Sequence, residues 1–341
     1  MNNKDLLKIS KEKIEKRINE ILDREIDKYK NNNFIVKSLE ELKRLSQGGK
    51  RVRGYLVKLG QLLMNKDDDS YIDIAAALEI FQTAILIHDD IIDEADLRRN
   101  EITINAKYPN HLGISKGICI GDLGFFLSYK IIAEANISSE IKEAIMDVYA
   151  TTLYNTVVGE IIDVELPLEN LDYHLNMEDK IIYDIYVNKT SWYTIIGPLL
   201  IGALSAGLDK NNKENLVEIG TKLGIAFQIK DDLLGLYSEN NIMGKTLNDI
   251  KENKQTIIYK YAINKASKEE LDIINELYGK DINEEQTKTI LELFDKLGAK
   301  KNAEELIEKY TNEAIKKIEE LDISNKELFI EFANYLLKRN N

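Results

Sequence analysis

Proline is the residue that most restricts what this chain can fold into. Only three occur in 341 residues (Pro109, Pro167 and Pro198), where ordinary usage is roughly 5%. Sandwiches and barrels with many turns tend to need more turn-forming residues, whereas long helices with short connections do not. The periodicity agrees. Apolar residues recur at three- and four-residue intervals through Leu6–Lys30, Ser38–Leu63, Ile72–Asp93, Ile114–Glu134, Ser139–Val164, Met177–Ala206 and Lys213–Tyr237, and through most of residues 256–337. Strand-like alternation is hard to find. The pattern predicts an all-α chain, with polar loops at 31–33, 67–70, 97–109, 167–176 and 239–246. Length alone allows two domains, but no Gly/Ser/Pro-rich linker or composition break divides the chain. A single domain over residues 1–341 is therefore expected.

The formal charge is −13 and hydrophobic residues make up 44%, enough apolar surface to bury a large core and exclude a disordered chain. That acidity argues against nucleic-acid binding, which needs a basic footprint, and against docking on anionic membranes. The single cysteine, Cys119, rules out an internal disulfide, and three histidines leave little for a zinc site. The apolar stretch Ile195–Leu208 contains Pro198 and several glycines, which favours a buried helix over a membrane span. MNNKDLLKISKEK lacks the apolar core of a signal peptide, so a cytoplasmic location is expected. Cys119 and Trp192 are expected to pack.

Chemistry enters after the apolar run Ile72–Ile87, which ends in His88-Asp89-Asp90-Ile-Ile-Asp93-Glu94. On a helix, Asp89 and Asp93 lie one turn apart on one face, with Asp90 to the side. Like charges at that spacing weaken a helix unless a cation sits between them. Oxygen-only donors suit a hard ion, Mg²⁺ or alternatively Mn²⁺. The same arrangement recurs after a second apolar helix, as Phe227-Gln228-Ile229-Lys230-Asp231-Asp232. If the two acid faces oppose each other across a cavity, they form a clamp for several divalent ions.

Such ions call for a polyanion, because Mg²⁺ usually keeps coordination positions for water and phosphate oxygens. The sequence supplies matching cations. Gly48-Gly49-Lys50-Arg51-Val52-Arg53 sets two glycines before a basic cluster, so that backbone can approach an anion closely. Arg98-Arg99 follows the first acid cluster, and Lys189, Lys245 and Lys254 fall at or near element ends. As a set they imply a site for two anionic groups beside metal ions.

These motifs, in this order, resemble the trans-type isoprenyl diphosphate synthases (polyprenyl synthetases), from about Gly48 to Thr256. GGKRVR is similar to that family's homoallylic diphosphate motif, HDDIIDEADLRR to its first aspartate-rich motif, Lys189-Thr190 to its Lys-Thr pair, and FQIKDDLLG to its second aspartate-rich motif. GKTLNDIKENKQT is similar to its Gly-Lys…Asp-Ile…Lys-x-Thr tail.

The resemblance implies an isoprenoid-synthase helical bundle around a central cavity, forming a homodimer. It implies Asp89, Asp93 and Asp231 as main Mg²⁺ ligands, with Asp90 and Asp232 supporting, around about three ions. Arg98, Lys189 and Lys245 would hold an allylic diphosphate. Lys50, Arg53 and Arg99 would hold isopentenyl diphosphate, with Gln82 where the family carries His or Gln and Lys254 contributing at the tail. Thr190 and Gln228 would line the cationic reaction centre.

There are departures. Gly235 stands in place of the third aspartate of the second motif, which implies retained activity with weaker ion affinity. Glu160 stands where Gln is common, and Gly54 and Asn100 also differ from the commonest family residues.

The reaction so implied is ionisation of an allylic diphosphate, attack by the isopentenyl double bond, and loss of a proton. It needs no side-chain nucleophile, and His88 is expected to be a packing residue. Product length should depend on what blocks a tunnel along the first acid-bearing helix. Ala84 and Ile85 lie below Asp89, and Phe81 lies one turn, about 5 Å, deeper. A floor at Phe81, aided by Phe125 or Phe126, implies a short-chain product, geranylgeranyl rather than farnesyl diphosphate.

A terpene cyclase shares the ionisation chemistry but takes one diphosphate, which the GGKRVR site argues against. An HD-type phosphohydrolase needs more histidines. A non-catalytic scaffold descended from a synthase would tolerate loss of the motif charges, nearly all of which this chain keeps.

Overall fold

The computed structural model describes residues 3–208, 210–237 and 248–338. Helices α1 (Asn3–Lys28), α2 (Asn33–Leu45), α3 (Val52–Leu63) and α4 (Ile72–Ile92) are followed by a minimal hairpin, β1 (Leu97–Arg98) and β2 (Glu101–Ile102). Then come α5 (Ile104–Lys107), α6 (His111–Glu134), α7 (Ser139–Glu165), α8 (Leu171–Asn176), α9 (Lys180–Ile185), a π-helical segment Tyr186–Ile196, α10 (Gly197–Leu204) and α11 (Lys210–Tyr237). Shorter and amphipathic helices complete the chain, ending with Ala299–Glu320 and Lys326–Lys338. The fold is all-α, as expected.

Two compact units emerge. The first comprises Met1–Tyr149, Pro198–Asp209 and Ile323–Asn325. At its centre is α4, packed by α1, α3 and α6, with Ile74, Ala75, Ala76, Ala77, Leu78 and Ile80 all buried. The α6 helix comes close because Gly117, Gly121 and Gly124 form a side-chain-free stripe at one-turn spacing. A Cβ on them would meet Ile91 at 2.5 Å, His88 at 2.3 Å and Ala84 at 2.9 Å respectively.

The second unit comprises Ala150–Gly197, Lys210–Asp322 and Lys326–Asn341. Its centre is α11, packed by the π-helical segment, Ala299–Glu320 and Lys326–Lys338. Two of its helices, Lys268–Leu277 and Glu284–Lys296, are fixed at their starts by side-chain caps. Ser267 and Asn283 each close a reciprocal capping box, with Glu270 and Gln286 respectively.

Three local features depart from the helical periodicity, each for a visible reason. The run Ser38–Leu63 is broken between α2 and α3. Gly48 and Gly49 sit at φ +75° and +85° and Arg51 at φ 55°, left-handed backbone that cannot belong to an α-helix. The run Met177–Ala206 is interrupted by the π-helical turns, a form that tends to occur at functional sites. Finally, the expected loop at 97–109 holds the hairpin. Arg99 and Asn100 form its two-residue turn, both at positive φ (54° and 65°), the conformation that matches strand twist in tight hairpins.

Candidate active site

The first unit brings the first acid cluster and the basic motifs together. Asp89 and Asp90 stand in the last turn of α4, and Asp93 is its exposed C-cap. The hairpin turns Arg98 back onto them: its Nη2 donates to Asp89 Oδ2 at 2.9 Å and its Nε donates to Asp90. Asp90 is buried, and burial pushes its carboxyl above the usual range against the pull of Arg98.

The hairpin turn places Arg99 elsewhere. A Cβ on Gly49 would lie 3.1 Å from Arg99 Nη1, so the glycine loop and this guanidinium touch. Burial, then the nearby Arg51, Arg98 and Arg53, lower the affinity of Arg99 for its proton despite the opposing pull of Glu79. Several guanidinium groups therefore share one field, an arrangement suited to a polyanion. Lys50 is exposed at the loop and Arg53 is half-buried at the start of α3.

Two residues that sequence reasoning missed hold this loop in place. Glu79, buried in α4, accepts the Gly54 N–H at 2.9 Å and faces Arg51 Nη1 at 3.5 Å. Arg51 also donates to the Ser46 carbonyl at 2.6 Å and to Glu15 at 3.3 Å. The available signal was an acid in the middle of the apolar run IDIAAALEIF, since a buried charge implies a partner.

Deeper along α4, Gln82 and Ile85 are half-buried, and Ala84 is enclosed against Gly124. Phe81 is buried, with ring centroids 5.5 Å from Phe125 and 5.6 Å from Tyr149. Phe125 thus joins the aromatic layer, whereas Phe126 points to solvent. Tyr149 completes the layer and was not anticipated, because it lies far away in sequence. His88 packs: its Nε2 meets the Ile118 carbonyl at 3.2 Å, and its ring lies edge-on to Phe125. Cys119, expected to pack, is exposed instead, on the side of α6 away from its glycine stripe.

The second unit assembles the other motif residues. Thr190 Oγ1 donates to Gln228 Oε1, and Gln228 Nε2 donates to Asp232 Oδ1 at 2.8 Å. The Tyr186 hydroxyl donates to Asp232 Oδ2 at 2.5 Å and accepts the Ile257 N–H at 3.0 Å. Asp232 is buried, and burial together with Asp249 pushes its carboxyl up to about 7, against the donors from Tyr186 and Gln228. Asp231, one residue earlier, is half-buried.

Lys189 lies against Glu160 Oε2 at 2.8 Å and Asp163 Oδ2 at 2.5 Å. Lys254 lies 3.6 Å from Asp249, and the attraction of Asp249, Asp163 and Asp232 holds its ammonium well above the ordinary lysine range. Lys245 lies outside the described residues.

The missing third aspartate has a structural counterpart. A Cβ built on Gly235 would fall 2.2 Å from Asp249 Oδ2. The carboxylate of Asp249 therefore occupies the space where a side chain at 235 would begin.

Among the described residues no three acidic, histidine or cysteine side chains converge as a preformed metal cage. The donors present are carboxylate oxygens, and a guanidinium already serves as counter-cation to two of them. That donor set fits Mg²⁺, which is usually held by one or two carboxylates plus water and phosphate oxygens rather than by an all-protein cage.

Residues 36–294 match a family model described as polyprenyl synthetase. The chain belongs to the polyprenyl synthetase family. It is an enzyme of that family, a transferase that elongates prenyl chains. A short chain isoprenyl diphosphate synthase of Methanocaldococcus jannaschii is 29% identical over 73% of each chain. A geranylgeranyl diphosphate synthase of Sulfolobus acidocaldarius is 28% identical over 83% of this chain and 85% of its own. The solved geranylgeranyl pyrophosphate synthase of Corynebacterium glutamicum, complexed with isoprenyl diphosphate and magnesium, superposes with a TM-score of 0.88 at 26% identity, covering 99% of this chain and 100% of that one. No described helix of this polyprenyl synthetase is long and apolar enough to cross a membrane.

Proposed function

We propose that this enzyme condenses isopentenyl diphosphate head-to-tail with an allylic diphosphate, using Mg²⁺, with geranylgeranyl diphosphate as its product in preference to farnesyl diphosphate. One observation carries the reading. Within one unit, Arg98 is seated on Asp89 and Asp90 while its neighbour Arg99 touches the glycine loop that presents Lys50 and Arg53. Two cationic sets side by side suit two diphosphates, where a cyclase needs one.

Asp89, Asp93 and Asp231 are the proposed Mg²⁺ ligands, with Asp90 and Asp232 supporting. Bound at these carboxylates, the ions supply electrostatic stabilisation of the departing diphosphate. Arg98 and Lys189 hold the allylic diphosphate, with Lys245 as their third partner. Lys50, Arg53 and Arg99 hold isopentenyl diphosphate beside Gln82, and Lys254 steadies Asp249. Fixed cations that meet more charge in the transition state than in the ground state lower the barrier. Thr190 and Gln228, locked to each other and to Asp232, present oriented dipoles to the developing carbocation. We assign both units to a single synthase domain, since the matched region runs through both. The water-soluble diphosphate substrates favour a cytoplasmic location.

Incubation of purified protein with Mg²⁺, labelled isopentenyl diphosphate and dimethylallyl, geranyl or farnesyl diphosphate tests the activity. Diphosphate release that needs both substrates is expected. Release from the allylic compound alone would instead mark a cyclase, and no release a scaffold.

For product length, the aromatic layer of buried Phe81 and Tyr149 with half-buried Phe125 supports a floor at Phe81. Phe81→Ala is expected to shift most product to chains at least one isoprene unit longer, as read by chromatography of the dephosphorylated products. Truncating a buried phenylalanine costs about 3–5 kcal/mol, so Phe81→Leu serves as a milder companion. An unchanged distribution in both variants removes Phe81 from this role.

We also propose a homodimer. Exposed apolar side chains line α6 (Ile118, Phe126, Tyr129) and, separately, α7 (Tyr154, Val157, Ile161), and clustered exposure of this kind marks association surfaces. Light scattering should give twice 39.1 kDa for the parent and a lower mass for Phe126→Glu or Tyr154→Glu. A monomeric parent would refute the dimer.

A further inference from the structure

The second unit carries a charge that its proposed chemistry does not need. Gly159 in α7 touches the π-helical segment backbone to backbone: a Cβ there would lie 2.3 Å from the Lys189 nitrogen. That approach sets the next residue, Glu160, beside the Lys189 side chain, with Oε2 at 2.8 Å from Nζ, and Asp163, one turn further on, at 2.5 Å. All three side chains are largely enclosed, at 25%, 21% and 15% exposure for Lys189, Glu160 and Asp163.

Lysine with one carboxylate is a neutral pair. With two carboxylates on Lys189, and Asp163 shared with Lys254, a diphosphate arriving at Lys189 must compete with the full counter-charge of Glu160 and then remain beside it. A glutamine at 160 would keep a hydrogen-bond acceptor without that charge. Enclosure strengthens the effect, because partly buried charges are screened less by salt.

We propose that Glu160 sets the affinity of this enzyme for its allylic diphosphate by competing with the diphosphate for Lys189, weakening the hold on the substrate and on the elongated product. The inference rests on the assignment of Lys189 to the allylic diphosphate, and the test separates the two. One unit charge about 4 Å from another, at effective dielectrics from about 80 down to about 20, corresponds to a change of about five- to a thousandfold in binding, so fivefold is the lower bound expected here.

Steady-state kinetics with the allylic diphosphate varied at saturating isopentenyl diphosphate should show Glu160→Gln lowering KM by about fivefold or more. Turnover, kcat, should stay equal or fall, since the product is held longer. Inhibition by inorganic pyrophosphate should tighten in parallel. Glu160→Asp, which keeps the charge, should behave as the parent; a glutamine effect reproduced by aspartate would mean that shape matters and would overturn the proposal.

Lys189→Gln should raise the allylic KM and abolish the response to Glu160→Gln in the double variant, because coupled residues are non-additive. If Lys189→Gln raises KM while Glu160→Gln leaves it unchanged or raises it, the inference fails and the assignment of Lys189 stands. If Lys189→Gln leaves KM unchanged, the assignment itself fails and takes the inference with it.

Discussion

Asp89→Ala is expected to lower kcat/KM for the condensation by about a thousandfold or more, equivalent to roughly 4 kcal/mol of lost transition-state stabilisation. Two losses combine. The proposed magnesium site loses a carboxylate, and Arg98 loses the acceptor that seats its Nη2 at 2.9 Å. Asp89→Asn separates them, because an amide oxygen can still accept from Arg98 but brings no charge. Both variants should retain the helical circular dichroism of the parent, since Asp89 is only partly buried in the last turn of α4. Both should remain strongly impaired at saturating Mg²⁺, the alanine variant at least as much as the asparagine one, which keeps the Arg98 contact. An asparagine variant within tenfold of the parent would reduce Asp89 to a positioning residue for Arg98. An alanine variant that active would remove Asp89 from the site altogether.

The second large effect runs against motif logic. Gly235→Asp restores the third aspartate of the second acid motif and, read from sequence alone, should strengthen ion binding. The structure implies the reverse. Asp249 Oδ2 already lies 2.2 Å from where the new Cβ would be placed, so the introduced side chain must expel that carboxylate. Expulsion breaks the approach of Asp249 to Lys254 at 3.6 Å. It also sets a second like charge near the buried Asp232, whose carboxyl Asp249 already helps push up to about 7.

Overpacking of this kind costs about 1–3 kcal/mol. Gly235→Asp should therefore lose about that much in urea unfolding, with kcat/KM at least tenfold lower at every Mg²⁺ concentration. The double variant Gly235→Asp/Asp249→Gly, which moves the carboxylate rather than adding one, should recover part of both. Greater activity or a lower Mg²⁺ requirement in the single variant would show that Asp249 yields without cost.

The helices and the chemistry were legible for the same reason: both are written in short-range spacing. A three- to four-residue apolar repeat specifies a buried helix face wherever it occurs, so Ile72–Asp93 and Lys213–Tyr237 are placed by their periodicity alone. Paired aspartates at the ends of those helices, and glycines before Lys50, are local patterns of the same kind. The break at Gly48-Gly49 was legible as a loop that approaches an anion, though the surrounding repeat disguised it as one long helix.

What the repeat does not encode is which way a polar side chain turns once a helix has docked. Arg98 and Arg99 are adjacent, yet the hairpin sends one to Asp89 and Asp90 and the other to Gly49. The role of Arg51 became visible only with Glu79, which stands 28 residues further on in another helix. Phe125 and Phe126 were equivalent candidates to join Phe81, and the rotation of α6 sets Phe125 against the Phe81 ring and Phe126 in solvent.

The sequence by itself determined an all-α chain, two acid-bearing helices and the cation set that answers them, because helix propensity and charge pairing act over a few residues. Only the tertiary structure decided that Asp249 stands beside Gly235, that Glu160 lies against Lys189, and that Tyr149 packs against Phe81. Those contacts join positions 14 to 68 residues apart, and their geometry depends on how closely glycine-bearing helices approach one another, which no local pattern records.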